Sequence, residues 1–306
     1  GELLEVTAPD GRPLLLKRIP PLLLSDAVEI ERFRREIRIL VSLEMSGVPR
    51  IEAFDDDPGQ PYLLMERVDG ETLDRWMAGL RELPATRRLA AVLALGERLA
   101  RLLDEVHHVG VVHRDLTPRN VIVRADGSPV LLDFGLSRHH QDSLLTRSGD
   151  FLGTLRYAPP EQVFASGRLM ADKSGDLYAL GLLLFEGIAG RPVRDGEDGQ
   201  ALLRQALLVD PPDIRVVAPG TPRSVARVVA ALLARDPKDR YPTGATAATD
   251  LARCRERAAA LDLPALPWRR LLLRAWRRQP PARRRRRAAV AGVAVTGKAE
   301  IAVTGT

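Results

Sequence analysis

The segment His113-Arg114-Asp115-Leu116-Thr117-Pro118-Arg119-Asn120 is followed, eighteen residues after Asp115, by Asp133-Phe134-Gly135. Asp115 is a carboxylate able to orient a hydroxyl group and take up its proton. Asn120 and Asp133 supply oxygen atoms of the kind that hold a hard divalent cation on phosphates. Grouped around one loop–strand–loop unit, these three side chains have the chemistry that phosphoryl transfer needs. Lysine is scarce: of 46 basic residues only Lys17, Lys173, Lys238 and Lys298 are lysine, so Lys17 at the end of the apolar run Leu14-Leu15-Leu16 invites a specific role. His113 is expected to pack and hydrogen-bond within its loop. His107 and His108 end a helix before Gly110 and are expected to be cap or surface residues.

The elements that must position these residues change character along the chain. Glu2–Thr7 and Pro13–Ile19 flank Pro9-Asp10-Gly11, a hairpin signal. Ser25 or Asp26 can cap a helix running to about Leu43, with Phe33, Ile37 and Leu40 on one face. Ile51–Phe54 and Tyr62–Arg67 are short apolar runs separated by the turn Asp57-Pro58-Gly59. From Thr72 the periodicity becomes helical, with segments at Arg87–His108, Lys173–Ala189, Ser224–Ala234 and Thr243–Ala260. A strand-rich start before a helical bulk predicts an α+β protein of two segregated lobes.

Composition narrows the function classes. The chain of 306 residues is 45% hydrophobic, enough for a core, and its single cysteine, Cys254, excludes a disulfide framework or a cysteine-based zinc site. The net charge of +6 would suggest nucleic acid if it were evenly spread. It is not: from Ala265 onward eleven Lys/Arg face one acid, Glu300, so a tail of +10 hangs from a body of −4. An acidic body argues against a nucleic-acid-binding domain.

The ordered motifs resemble the eukaryotic-like (Hanks-type) protein kinases, in their bacterial serine/threonine branch, from Gly1 to about Ala260. The resemblance implies a protein-kinase-like two-lobed fold, with residues 1–68 as a strand-rich N-lobe containing one helix and 69–262 as a mainly helical C-lobe. It implies ATP and Mg²⁺ (Mn²⁺ as a substitute) as cofactors and proteins as substrates. Lys17 is similar to the lysine that holds the α- and β-phosphates, with Glu36 as its ion-pair partner. Asp115 resembles the catalytic base, and Asn120 and Asp133 the metal ligands. Gly153–Glu161 resembles the substrate-docking loop, Asp176 the buried aspartate bracing the catalytic loop, and Arg240 the arginine that pairs with Glu161. Met65 is similar to the gatekeeper, Glu66-Arg67-Val68 to the hinge, and Leu3, Leu15, Ile122 and Leu132 to the residues that sandwich adenine. Pro118 and Thr154 imply serine/threonine specificity. Thr117 stands where a lysine is usual; it can hydrogen-bond but carries no charge, which implies reduced activity.

Three further expectations follow. Thr146 and Ser148, seven and five residues before Gly153, fall where bacterial relatives carry autophosphorylation sites, and Arg114 would partner a phosphate there. Of the family's G-x-G-x-x-G loop only Gly1 remains, and no initiator methionine is present, which implies an N-terminally truncated piece with weakened ATP binding. In the tail, Trp268, Leu271, Leu272, Ala275 and Trp276 fall at helical spacing among arginines, ahead of the run Arg283–Arg287. Residues 267–287 thus suit an anionic membrane surface, a basic juxtamembrane-like segment (263–287) before a short apolar tail (288–306). Ala288–Val295 falls short of the roughly 20 apolar residues of a span. The expected location is cytoplasmic, at the inner face of the membrane. The competing reading is a pseudokinase serving as a binding or scaffold module; a small-molecule phosphotransferase is disfavoured by Gly153–Glu161.

Overall fold

The structure, a computed structural model, describes residues 2–57, 59–134, 149–164, 173–196 and 198–259. Thr146, Ser148 and the basic tail lie outside the described residues. The chain forms two compact units, divided between Asp69 and Gly70.

The first unit is a four-stranded antiparallel sheet with one helix. Strands β1 (Glu2–Thr7), β2 (Pro13–Arg18), β3 (Ile51–Asp55) and β4 (Tyr62–Glu66) lie in the order β1-β2-β4-β3. The β1–β2 turn closes through Gly11, whose φ of 86° is accessible without strain only to a residue lacking Cβ. Alternation sorts β2 into two faces. Leu14 joins Ala8 and Leu64 in a core cluster with Val6, Leu16 and Ala53 packed against it. Leu15 and Lys17 point the other way. Helix α1 (Ala27–Ser42) starts at Asp26, whose carboxylate accepts from Val28 N and Glu29 N at 2.9 and 3.2 Å. It buries Phe33, Ile37 and Leu40, the predicted face.

The second unit is helical. Strand β5 (Glu71–Thr72) leads into α2 (Leu73–Leu80) and the long α3 (Ala85–His108). A hairpin of β6 (Val121–Val123) and β7 (Pro129–Leu131) completes a small β5-β6-β7 sheet. Then come α4 (Gly149–Leu155), α5 (Pro160–Phe164), α6 (Lys173–Ala189), α7 (Gly199–Leu208), α8 (Ile214–Val217), α9 (Arg223–Leu232) and α10 (Gly244–Ala259). Helix α6 is buried on all sides, as a helix apolar all round must be, and it packs against α3 and α9. Gly187 permits the α3–α6 approach: a Cβ there would stand 2.8 Å from Val92 Cγ2. The predicted helices are present with ends moved by up to two residues. Helix α7 has no counterpart among the predicted segments; Asp198 caps it and Leu202 and Ala206 anchor it.

Candidate active site

In the first unit, strand pairing puts Leu3 opposite Lys17 and Leu15 opposite Met65. Directly opposed residues share a sheet face, and alternate residues of one strand do too. Leu3, Leu15, Lys17 and Met65 therefore lie on one face of the sheet. Met65 is buried, Leu15 half-buried and Leu3 exposed. Lys17 Nζ meets Glu36 Oε1 at 2.5 Å, with both side chains 15% exposed. The pair joins β2 to the middle of α1 across nineteen residues. Glu66 donates its backbone N–H to Arg50 O at 2.9 Å, and Val68 is half-buried.

In the second unit, Asp115, Asn120 and Asp133 converge by local geometry. Pro118–Asn120 is a 3₁₀ turn in which Asn120 N donates to Thr117 O at 3.1 Å. The turn brings Asn120 Nδ2 to Asp115 O at 2.9 Å and to Asp115 Oδ2 at 3.2 Å. Both donors of the amide group face Asp115, so its oxygen is the end turned elsewhere. Asp133 arrives through the hairpin. Val121 pairs with Leu131, Leu132 N donates to Asn120 O at 2.8 Å, and Asp133 is the next residue. Ile122 lies half-buried on β6 opposite Val130, and Leu132 is half-buried at the end of β7. Arg114 and Asp133 adopt φ of 66° and 47°. Such left-handed conformations cost about 1–3 kcal/mol each and persist only where the surroundings enforce them.

What enforces them here is a buried polar network centred on Asp176, in the first turn of α6 and 1% exposed. Its Oδ2 accepts from His113 N and its Oδ1 from Arg114 N, both at 2.8 Å. His113 has no exposure; its Nδ1 accepts from Asp115 N, so Nε2 carries the proton and donates to Leu132 O at 2.9 Å. Its ring centre lies 4.8 Å from that of Phe134. One imidazole thus ties the Asp115 loop to the segment that carries Asp133. His107 corrects an expectation. It is not a surface or cap residue: its side chain is 5% exposed and its Nε2 donates to Asp176 Oδ2 at 2.8 Å. His108 is exposed, as expected.

The proposed docking loop is held on two sides. Arg240 and Glu161 form a two-pronged pair at 2.7 and 2.8 Å, and Arg240 also donates to the carbonyls of Ala234, Ser174 and Arg235. Tyr157 donates its hydroxyl to Glu186 Oε2 at 2.5 Å. Burial pushes the Tyr157 phenol well above its ordinary value, the neighbouring Glu186 charge adds to the rise, and burial likewise raises the Glu186 carboxyl. Arg194, which nothing in the sequence singled out, is 2% exposed beneath the same loop. A small cavity is lined by Asp115, Thr117, Thr154, Pro159 and Gly175, so the Asp115 loop and the Gly153–Glu161 stretch share one wall. Thr117 itself is buried.

The chemistry of the donors suits a magnesium ion. Asn120 and Asp133 offer hard oxygen atoms, and Mg²⁺ is commonly held by only one or two protein groups together with water and phosphate oxygens.

Comparison with known proteins agrees with this geometry. The family pattern described as protein kinase domain matches residues 5–251. The chain is 38% identical over 220 residues to the DNA damage-responsive serine/threonine-protein kinase RqkA of Deinococcus radiodurans, covering 71% of this chain and 32% of that protein. It is 32% identical over 248 residues to the serine/threonine-protein kinase PknL of Mycobacterium tuberculosis, covering 81% of this chain and 60% of that one. The chain therefore spans less than two thirds of both relatives. The solved kinase domain of Mycobacterium tuberculosis PknI matches with a TM-score of 0.59 at 26% identity, over 83% of this chain and 91% of that one.

Proposed function

The chain belongs to the protein kinase family, in its bacterial serine/threonine branch, and we propose that it transfers the γ-phosphoryl group of ATP to serine and threonine hydroxyls of proteins. The observation that carries this is the linked trio Asp115, Asn120 and Asp133. Asp115 orients the substrate hydroxyl and receives its proton, while the Asn120 amide fixes the direction of that carboxylate. Asn120 and Asp133 would hold Mg²⁺, or Mn²⁺ in its place, which when bound supplies positive charge to the phosphate oxygens. Lys17, kept in place by Glu36, binds the phosphates. In the first unit Leu3, Leu15 and Met65, with the backbone of Glu66 and Val68, are the candidate adenine contacts; in the second unit the candidates are Ile122 and Leu132. Thr117 contributes a hydrogen bond without a charge, so turnover is modest. Lys17, Glu36, Asp115 and Asp133, which a decayed site would lose in part, are all present, and only the lysine position held by Thr117 is uncharged; this disfavours a scaffold role.

The test is transfer of labelled phosphate from ATP to serine- and threonine-containing peptides. Asp115→Asn and Asp133→Asn are each expected to lower the rate by about 10²–10⁴. Equal, background-level labelling by wild type and both variants would overturn the reading. Run without peptide, the reaction is expected to label Thr146 and Ser148, whose phosphates Arg114 would partner; label on neither residue would remove that part of the proposal.

Residues 267–287 are proposed to bind an anionic membrane surface, placing the kinase in the cytoplasm at its inner face; nucleic acid is not a partner in this reading. The charge of the tail supports it, and among the described residues no helix is long and apolar enough to cross a membrane. Co-sedimentation with anionic and neutral vesicles alike, or with neither, would dispose of it.

A further inference from the structure

Arg194 lies in the loop after α6 and is 2% exposed, in a place where a charged side chain needs a reason. Among the described residues it has no carboxylate within ion-pair range. Its neighbour Asp195 stands 3.5 Å from Arg156, and Glu161 is engaged by Arg240 through both oxygens. Burial accordingly holds the Arg194 guanidinium below its ordinary pKa. A desolvated cation with no ion-pair partner among the described residues, on which Glu161 acts only at longer range, is costly unless its hydrogen bonds are well used.

Those hydrogen bonds go to one stretch of backbone. Arg194 Nη1 donates to Ala158 O at 2.5 Å and shares its remaining hydrogen between Leu155 O and Arg156 O at 3.3 and 3.4 Å. Nη2 donates to the hydroxyl of Tyr178, a fully buried residue of α6, at 2.9 Å. The guanidinium carbon lies 5.6 Å from the centre of the Tyr178 ring. One terminal nitrogen of the guanidinium is thus fixed to the core helix, and the other collects three carbonyls from the end of α4 to the start of α5. The strap beside it adds to the grip, since Arg156 Nη2 reaches Gly196 O at 3.4 Å. The stretch so held is the one that shares a cavity wall with Asp115 and Thr117.

We propose that Arg194 is a positioning residue for the protein substrate: it sets the backbone of residues 155–158, and through it the placement of the incoming hydroxyl against Asp115. This rests on the reading of Gly153–Glu161 as the docking loop. Arg194 touches neither the phosphates nor the metal ligands, so its effect falls on the peptide and not on ATP. Misplacement of a bound substrate by about 1 Å can cost 10²-fold in rate.

The test separates these quantities in the full chain. Arg194→Met keeps an unbranched apolar stem but removes the charge and the donors. It is expected to raise the peptide KM about tenfold, with the ATP KM and the slow hydrolysis of ATP without peptide held within about twofold. Arg194→Lys, which can reach fewer carbonyls, is expected to fall between wild type and Arg194→Met. Thr154→Trp, which crowds the shared cavity wall, serves as the control on the loop. If Thr154→Trp raises the peptide KM and the Arg194 variants do not, the proposal fails and the docking-loop reading stands. If none of them raises it, that reading fails as well. A proportional fall in ATP hydrolysis and peptide phosphorylation would mark Arg194 as merely structural and overturn the proposal. Should Arg194→Met not fold, Arg194→Lys decides: an unchanged peptide KM overturns the proposal and a raised one supports it.

Discussion

The two units hold their functional side chains by opposite means. In the first, Lys17 and Glu36 meet at 2.5 Å between a strand and a helix, each 15% exposed, on a sheet face that also carries exposed Leu3. In the second, Asp176 is 1% exposed and receives three donors, from His107, His113 and Arg114, on two separate segments. A partly solvated ion pair exchanges water for a partner at little net gain. A buried carboxylate with three donors has no water to return to when one is lost. The first arrangement joins one strand to one helix through a single contact. The second is part of the fold, and the strained backbone of Arg114 depends on it.

The contrast is broken most directly at Asp176. Asp176→Ala strands three buried donors and is expected to cost about 3–5 kcal/mol, with the catalytic loop lost along with stability; urea unfolding followed by fluorescence measures it. A cost below about 1 kcal/mol would mean the network is not what holds the loop. Glu36→Gln is the counterpart. It is expected to change stability by less than about 1 kcal/mol, yet to lower kcat/KM by more than about tenfold because Lys17 loses its charged brace. If Glu36→Gln destabilised the protein as much as Asp176→Ala, the distinction between the units would be void.

The smallest effect sharpens the comparison by pH. Burial raises the Glu186 carboxyl. A group raised on folding contributes stability below its unfolded pKa and loses it as pH rises through the folded one. Near neutrality the ionised Glu186 is therefore disfavoured. Glu186→Gln still accepts the Tyr157 hydroxyl through its amide oxygen and carries no charge. Its Tm is expected to equal or exceed that of wild type near neutral pH, by less than about 1 kcal/mol in stability, and the gap should close as pH falls into the ordinary carboxylate range. A gap that widens on acidification would show that the charge of Glu186 stabilises the loop.

Much of this is legible in the order of the residues alone. The alternation in Pro13–Arg18 and the spacing of Phe33, Ile37 and Leu40 identify a strand and a helix because burial of one face leaves a period in the sequence. The trio Asp115, Asn120 and Asp133 is legible for a related reason: its geometry is local, made by a 3₁₀ turn and a short hairpin. Helix α7 escapes such a reading because it opens on glycine and buries only Leu202 and Ala206, although Asp198 offers a cap signal.

His107 and Arg194 are beyond reach by the same logic. The partner of His107 lies 69 residues away, and the carbonyls that Arg194 collects lie 36 to 39 residues away. A histidine at a helix end and an arginine in a loop carry no period and no motif that separates the buried case from the solvated one. By itself the sequence determined the fold class and the charge-divided body and tail, and it singled out the residues proposed to do the chemistry, since each is written in types and short spacings. Only tertiary structure decided which polar groups are sealed from water, because desolvation depends on what the rest of the chain packs over them.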